Sequence, residues 1–220
     1  MEIDKIHNMD CLEFMKTLPD NCIDLVLTDP PYGIGAYSNG TMGGGVLAKQ
    51  SKFEATGWDS QIPDREVFDE IFRVSRHAII FGGNYFVDSL ANSPCWIVWD
   101  KDNGDNNFAD CELAWTNFST AVRKVTWKWQ GMWQEQMGSL KEKRQHPTQK
   151  PVGVMRWILD NYAKPTDTIF DPFMGSGTTA IACYRTRRHF IGCEISKEYC
   201  DIAEKRLQDE KDKLGLFGGE

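Results

Sequence analysis

The strongest constraint in this chain is a set of short apolar runs, each stopping at an acid or a glycine pair. Asp24 to Thr28 stops at Asp29, Ala78 to Phe81 at Gly82-Gly83, Trp96 to Trp99 at Asp100, Thr168 to Phe170 at Asp171, and His189 to Cys193 at Glu194. Lys5 to Met9 ends the same way at Asp10, and Glu112 to Trp115 is a further strand candidate. Runs of this length bounded by polar residues read as buried strands. Helical spacing fills the gaps between them. Cys11 to Leu18 carries Leu12 and Met15 on one side, and Arg65 to Val74 repeats through Val67, Phe68, Ile71 and Phe72. Pro151 opens a helix to about Tyr162, in the first-turn position prolines favour. Thr178 to Arg185 is another, and Ser196 caps a charged last helix to about Lys213. Strands alternating with helices predict a mainly parallel, doubly wound α/β sheet. In such sheets ligands bind beyond the C-terminal strand ends. Asp10, Asp29, Gly82-Gly83, Asp171 and Glu194 all fall there, which predicts one shared site.

Composition narrows the class. With 220 residues, 41% hydrophobic, the chain suits one globular domain over 1–220. No apolar stretch approaches ~18–20 residues, so no membrane span is expected. The polar N-terminus lacks an apolar signal-peptide core. Seven cysteines without a CxxC pair suggest a reduced, cytoplasmic protein with no metal site. The net charge of −7 argues against a generally basic coat. Between Phe118 and Lys150, however, seven Lys/Arg face two Asp/Glu, interleaved with Trp127, Trp129 and Trp133. That mixture suits a polyanion with stackable bases. A solvated loop whose tryptophans merely pack fits as well. Residues 33–57 are glycine-rich around Gly43-Gly44-Gly45 and too long for a connector, so a mobile loop or lid is expected.

Two motifs carry chemistry. In Asp29-Pro30-Pro31-Tyr32 the acid accepts an N–H bond, the prolines lack backbone N–H groups, and the ring offers a stacking face. An acceptor pair beside an aromatic plate suits an exocyclic amine on a flat ring. The second motif is Asp171-Pro172-Phe173-Met174-Gly175-Ser176-Gly177-Thr178-Thr179. Glycines between a strand and a helix let a ligand approach the backbone, and the helix start offers N–H groups to an anion. A phosphate loop needs lysine after its last glycine, and Thr178 stands there. Glu194 follows about 20 residues later, where an acid commonly holds a ribose diol. The ligand reads as a nucleoside with an anionic tail.

These motifs, with Asn8-x-Asp10-Cys11, Phe81-Gly82-Gly83-Asn84, Trp99-Asp100-Lys101 and His146-Pro147-Thr148-Gln149-Lys150-Pro151, resemble the S-adenosylmethionine-dependent DNA amino-methyltransferases. Their order is that of the β group, with the cofactor glycines last. The resemblance runs from about Ile3 to Leu207. It implies a Rossmann-like sheet, mostly parallel with one antiparallel strand, in circularly permuted motif order. It implies Asp29, Pro30, Pro31 and Tyr32 as catalytic residues. Asp29 and the Pro30 carbonyl would hold the amine, and Tyr32 would stack on its ring. For the cofactor it implies Asp10 and Cys11 at the adenine, and Thr148, Lys150 and Pro151 near the methionine end. Phe173, Gly175 and Gly177 would shape the turn beneath it. Glu194, with Ile195 beside it, would take the ribose hydroxyls. Asp29, Asp171, Pro172, Ser176, Thr178 and Thr179 complete that set.

Cys11 as plain core is an equal reading, and His146 reads better as a brace than as a ligand. The expected substrate is double-stranded DNA with its base flipped out. Arg123, Lys124, Lys128, Lys141, Lys143 and Arg144 are the candidate DNA contacts, within a short target-recognition insertion at about 118–145. Adenine N6 is the favoured atom, since an initial serine is commoner in cytosine-N4 enzymes. Cytosine N4, or a non-catalytic cofactor-sensing module, are the alternatives. A homodimer, a cognate restriction nuclease and a bacterial or phage origin stay open.

Overall fold

The computed structural model describes residues 1–35, 41–42, 51–52, 59–104, 109–130, 133–137, 141–145 and 148–217. Twelve strands are described: β1 (Lys5–His7), β2 (Ile23–Thr28), β3 (Thr41–Met42), β4 (Ser51–Lys52), β5 (Ser75–Phe81), β6 (Trp96–Asp100), β7 (Cys111–Thr116), β8 (Arg123–Thr126), β9 (Trp129–Gln130), β10 (Trp133–Gln134), β11 (Thr168–Asp171) and β12 (His189–Cys193). The α-helices are α1 (Cys11–Lys16), α2 (Arg65–Val74), α3 (Val152–Tyr162), α4 (Thr178–Arg185) and α5 (Lys197–Phe217). Most of the expected 33–57 loop lies outside the described residues. Within it, β3 and β4 pair antiparallel.

Eight strands form one sheet in the order β1-β12-β11-β2-β5-β7-β6-β8. The first five run parallel to one another. Strand β7 is antiparallel to both β5 and β6, and β8 runs parallel to β6. One reversed strand in a parallel sheet is the expected arrangement.

Alternation along the central strands feeds two layers. Leu25 and Leu27, Ile79 and Phe81, and Ile169 join the core under α3, α4 and α5. Val26, Ala78, Ile80 and Phe170 join the core under α1 and α2. Strands covered on both faces need apolar side chains on both, which explains the continuous apolar runs. The helices bury the faces their spacing marks, Val67, Phe68, Ile71 and Val74 in α2, for example.

Three details depart from expectation. Pro151 is the residue before α3 rather than its first, with an extended ψ of 137°. Helix α5 continues past Lys213 to Phe217. Strand β8 is an edge strand with only Val125 buried, so its apolar signal is a single residue. Because β8 belongs to the main sheet, the segment at 118–145 begins inside the fold.

Strand β11 lies between β12 and β2. From β11 the chain turns through α4 to β12 on one side, while β2 leads through α2 to β5 on the other. The strand order reverses here, which opens a crevice beyond the C-terminal ends of β11 and β2.

Candidate active site

One half of the crevice is built around β11 and β12. Asp171, at the end of β11, is buried and accepts from Thr179 Oγ1 at 2.6 Å, Thr28 Oγ1 at 2.7 Å and the Phe173 N–H at 3.1 Å. Burial pushes its carboxyl up to about 6 against those donors. Thr28 ends β2, so its hydroxyl ties the two sides of the crevice together.

Beyond Asp171 the chain turns at Gly175 with φ +53° and enters α4 at Gly177 with φ +83°. The two glycines serve different ends. A Cβ on Gly177 would sit 2.8 Å from Ala203 Cβ, so Gly177 lets α5 approach. A Cβ on Gly175 would meet nothing nearer than Phe173 O at 4.0 Å, so its face is open. Ser176 is held by Arg206, whose guanidinium donates to its carbonyl and hydroxyl. Pro172 is buried, Phe173 half-buried, and Thr178 buried at the start of α4.

Glu194 follows β12 and closes over this turn. Its Oε2 accepts the Gly175 N–H at 2.8 Å and its Oε1 the Ser196 N–H at 2.8 Å. Each oxygen keeps a further lone pair for a ligand hydroxyl. Burial raises its pKa against those N–H bonds. Asn8 donates to the Glu194 and Ile195 carbonyls and thereby joins β1 to this edge. Ile195 itself is 73% exposed. Asp10 caps α1, its Oδ1 accepting from Leu12 and Glu13 N–H at 2.8 and 3.1 Å. Cys11 is buried, its thiol pushed up to about 12 by burial and by the Asp10 charge.

The other half is built around β2, β5 and β7. Asp29 Oδ1 accepts the Tyr32 hydroxyl at 2.6 Å. Asp29 Oδ2 accepts the Lys150 ammonium at 2.5 Å. Lys150 is 5% exposed and also pairs with Glu112 Oε2 at 3.1 Å. Burial alone would lower the Lys150 pKa, but the two carboxylates outweigh it and raise it. Burial raises the Asp29 pKa despite the Lys150 charge.

The loop bearing Tyr32 is pinned by Asp59, which accepts the Tyr32 and Gly33 N–H groups at 2.6 and 3.0 Å. Gly82, at φ +69°, leaves room for the Tyr32 ring, since a Cβ there would lie 2.1 Å from it. Tyr85 stacks on Tyr32 at 4.8 Å between centroids. Pro30 is buried and Pro31 half-buried behind the acid.

Residues 148–151 join the halves. Thr148 is half-buried, and Pro151 precedes α3. Gln149 is 5% exposed; its Oε1 accepts the Gln145 N–H at 2.8 Å and faces Ser176 Oγ at 3.4 Å. Its Nε2 is buried with no hydrogen-bond partner among the described residues. An open glycine turn, a braced carboxylate with spare lone pairs and this unused buried donor fit a ligand with a diol and an acidic tail.

The basic segment divides. Arg123 and Lys143 are exposed. Lys124 and Lys128 pair with Asp100 and Asp102 at 3.0 and 2.8 Å. Lys141 is exposed and engaged in a contact of its own. Arg144 instead lies over the Trp129 ring at 4.9 Å and donates to the Trp129 carbonyl at 3.1 Å. Trp129 is buried, donating its indole N–H to the Gln149 carbonyl at 3.1 Å. Trp127 is half-buried against Gly153, where a Cβ would lie 2.0 Å from its ring. Of the two readings of these tryptophans, Trp127 and Trp129 follow the packing one, Trp127 against Gly153 of α3 and Trp129 against Gln149 ahead of it. His146 lies outside the described residues.

Asp59, Tyr85 and Glu112 had no motif to mark them. Glu112 carried one signal, a lone acid within an otherwise apolar strand.

A family model described as DNA methylase matches residues 99–205. The chain is 27% identical to the Type II methyltransferase M.HinfI of Haemophilus influenzae, covering 92% of this chain and 67% of that protein. It is 26% identical to the Type II methyltransferase M.BglII of Bacillus subtilis, covering 98% and 72%. The solved structure of an M1.HpyAVI–SAM complex superposes with a TM-score of 0.59 at 26% identity, over 92% of this chain and 98% of that one. With the motif order and the crevice on one strand edge, the chain is thus similar to the DNA methylases over residues 99–205 and to Type II methyltransferases over nearly all of its length.

Proposed function

We propose that this chain methylates the exocyclic N6 amine of an adenine flipped out of double-stranded DNA. One observation carries the reading: Asp29 and the Gly175–Glu194 turn share the crevice, tied by the 2.7 Å bond from Thr28 to Asp171. An amine held by Asp29 then faces a ligand held by the turn.

S-adenosylmethionine, when bound, supplies an electrophilic sulfonium methyl. Glu194 would take its ribose hydroxyls, with Asp10 and Cys11 near its adenine. Gly175 to Thr179 would lie beneath it, backed by Asp171, Pro172, Phe173 and Ile195. Thr148, Gln149 and Pro151 would flank its amino-acid end. Asp29 and the Pro30 carbonyl accept the two amine hydrogens. That draws the nitrogen lone pair out of the ring and aims it at the methyl. Positioning of this kind supplies much of the acceleration. Asp29 would take the amine proton as the nitrogen gains the methyl, whose former bonding pair would stay with the cofactor's sulfur. An ordinary carboxylate has a pKa near ~4, and burial here raises it, which makes Asp29 a better acceptor. Tyr32 stacks on the base and holds Asp29 Oδ1 by its hydroxyl.

Aspartate rather than serine at position 29 supports adenine. Flipping costs a few kcal/mol, and flanking DNA contacts must repay it. Arg123, Lys124, Lys128, Lys141 and Lys143 support a short contact surface. So small a surface favours a short recognition site or help from a second copy of the chain. No helix among the described residues is long and apolar enough to cross a membrane.

Expression in methylation-free bacteria, followed by modification-sensitive sequencing, tests the reading. The expected result is N6-methyladenine in one short sequence context. N4-methylcytosine would overturn the choice of base. No methyl incorporation from labelled cofactor on any DNA would overturn the activity.

A further inference from the structure

We propose that Glu112 is a positioning residue that draws the Lys150 ammonium away from Asp29 when the target amine arrives. The inference rests on the methyltransferase reading above. It starts from the occupancy of Asp29. One oxygen accepts the Tyr32 hydroxyl at 2.6 Å and the other the Lys150 ammonium at 2.5 Å. Each oxygen keeps a further lone pair, but the ammonium beside Oδ2 weakens it as an acceptor for the proton of an incoming amine. Lys150 holds the competing cation, and at 5% exposure it cannot hand that charge to water.

Glu112 is the nearest alternative. Its Oε2 already lies 3.1 Å from the Lys150 nitrogen. Its Oε1 is anchored by Lys101 at 2.7 Å, and Lys101 lies over the Trp99 ring. Glu112 also sits on β7, paired with Trp99 of β6, so its backbone is held inside the sheet. Lys101, Glu112, Lys150 and Asp29 thus alternate in sign through the acceptor half. A short slide of the Lys150 ammonium toward Glu112 frees Asp29 Oδ2 without leaving a buried charge alone. Without Glu112 the ammonium stays with Asp29 and competes with every amine that enters.

The test is a double-mutant cycle on Glu112→Gln and Lys150→Met, using unmethylated genomic DNA and labelled cofactor. Thermal melting and cofactor calorimetry accompany each variant. Glu112→Gln should lower kcat/KM for DNA at least about tenfold, with cofactor affinity within about threefold of the unaltered chain. Glu112→Asp should recover part of the loss. In the double variant Glu112→Gln should add less than about threefold to the Lys150→Met defect, because the cation to be moved is gone. A merely structural Glu112 predicts losses that multiply, and that result would overturn the proposal. So would Glu112→Gln within about twofold of the unaltered chain.

If Glu112→Gln fails to fold, Lys101→Met decides. It leaves Glu112 with Lys150 alone, so kcat/KM should hold or rise, and a tenfold fall would sink the idea. Failure of the unaltered chain to methylate DNA overturns the function itself. An active chain indifferent to Glu112→Gln overturns only the role of Glu112.

Discussion

On the β11–β12 side of the crevice, Glu194 is held by two backbone N–H groups and Asp171 by two hydroxyls and one N–H. On the β2–β7 side, Asp29 is held by the buried Lys150 ammonium, and Glu112 by Lys150 and the half-buried Lys101. Neutral donors fix a carboxylate without satisfying its charge, so burial raises its pKa. Ammonium groups oppose that shift, enough to lower the Glu112 pKa though not that of Asp29, and they can exchange carboxylates. The contrast separates a preformed cradle from a set of charges that rearranges around its substrate.

The largest test of that separation is Asp29→Ala. Methyl transfer should fall by at least about 10³-fold, while calorimetry shows cofactor affinity within severalfold of the unaltered chain. Lost cofactor affinity with the fold retained would show that the halves do not act separately.

Next is the pH dependence of stability through Asp171. Its carboxyl titrates at about 6 when folded and near ~4 when unfolded. Between those values the folded chain binds more protons. The stabilisation from this group is therefore full at low pH and lost as pH rises through about 6. The difference is worth roughly 3 kcal/mol. Asp171→Asn should flatten the pH dependence of the urea midpoint between about pH 4 and 7 by that order. An unchanged slope would mean that the donors around Asp171 fully offset its burial.

A smaller effect is expected at the braced acid. Glu194→Gln should weaken cofactor binding about tenfold through poorer acceptors for hydroxyl donors. The KM for DNA should stay within about twofold, and a larger change would join the halves again. The smallest belongs to Gly175→Ala. Its Cβ meets nothing within van der Waals contact, so only the positive φ resists, at about 1 kcal/mol. Melting should drop slightly, and cofactor affinity should fall more than stability does.

The two halves also differed in how well the chain disclosed them. The cradle is local: Asp171 to Thr179 is one continuous motif, and Glu194 ends the next strand. Its strand–turn–helix grammar and its ligand chemistry could be read from spacing. In the acceptor half, only Asp29 to Tyr32 is local. Lys150 reaches Asp29 across 121 positions of sequence. Glu112 and Asp59 arrive from other elements, and nothing in their neighbourhoods announces a partner. Strand β8 was hidden for a related reason. An exposed edge needs one buried side chain, and Val125 alone leaves no periodicity to detect.

The sequence by itself determined the alternation of strands and helices, the buried apolar runs and the polar residues at the strand ends. These follow from local rules: strands covered on both faces must be apolar, and glycines are needed where φ turns positive. Only the tertiary structure decided which charges share a buried space. It gave Lys150 to Asp29 and Glu112 at once, turned Trp127 and Trp129 inward and spent Arg144 on Trp129. Ion pairing acts through space, and its partners are chosen by the order in which strands lie side by side.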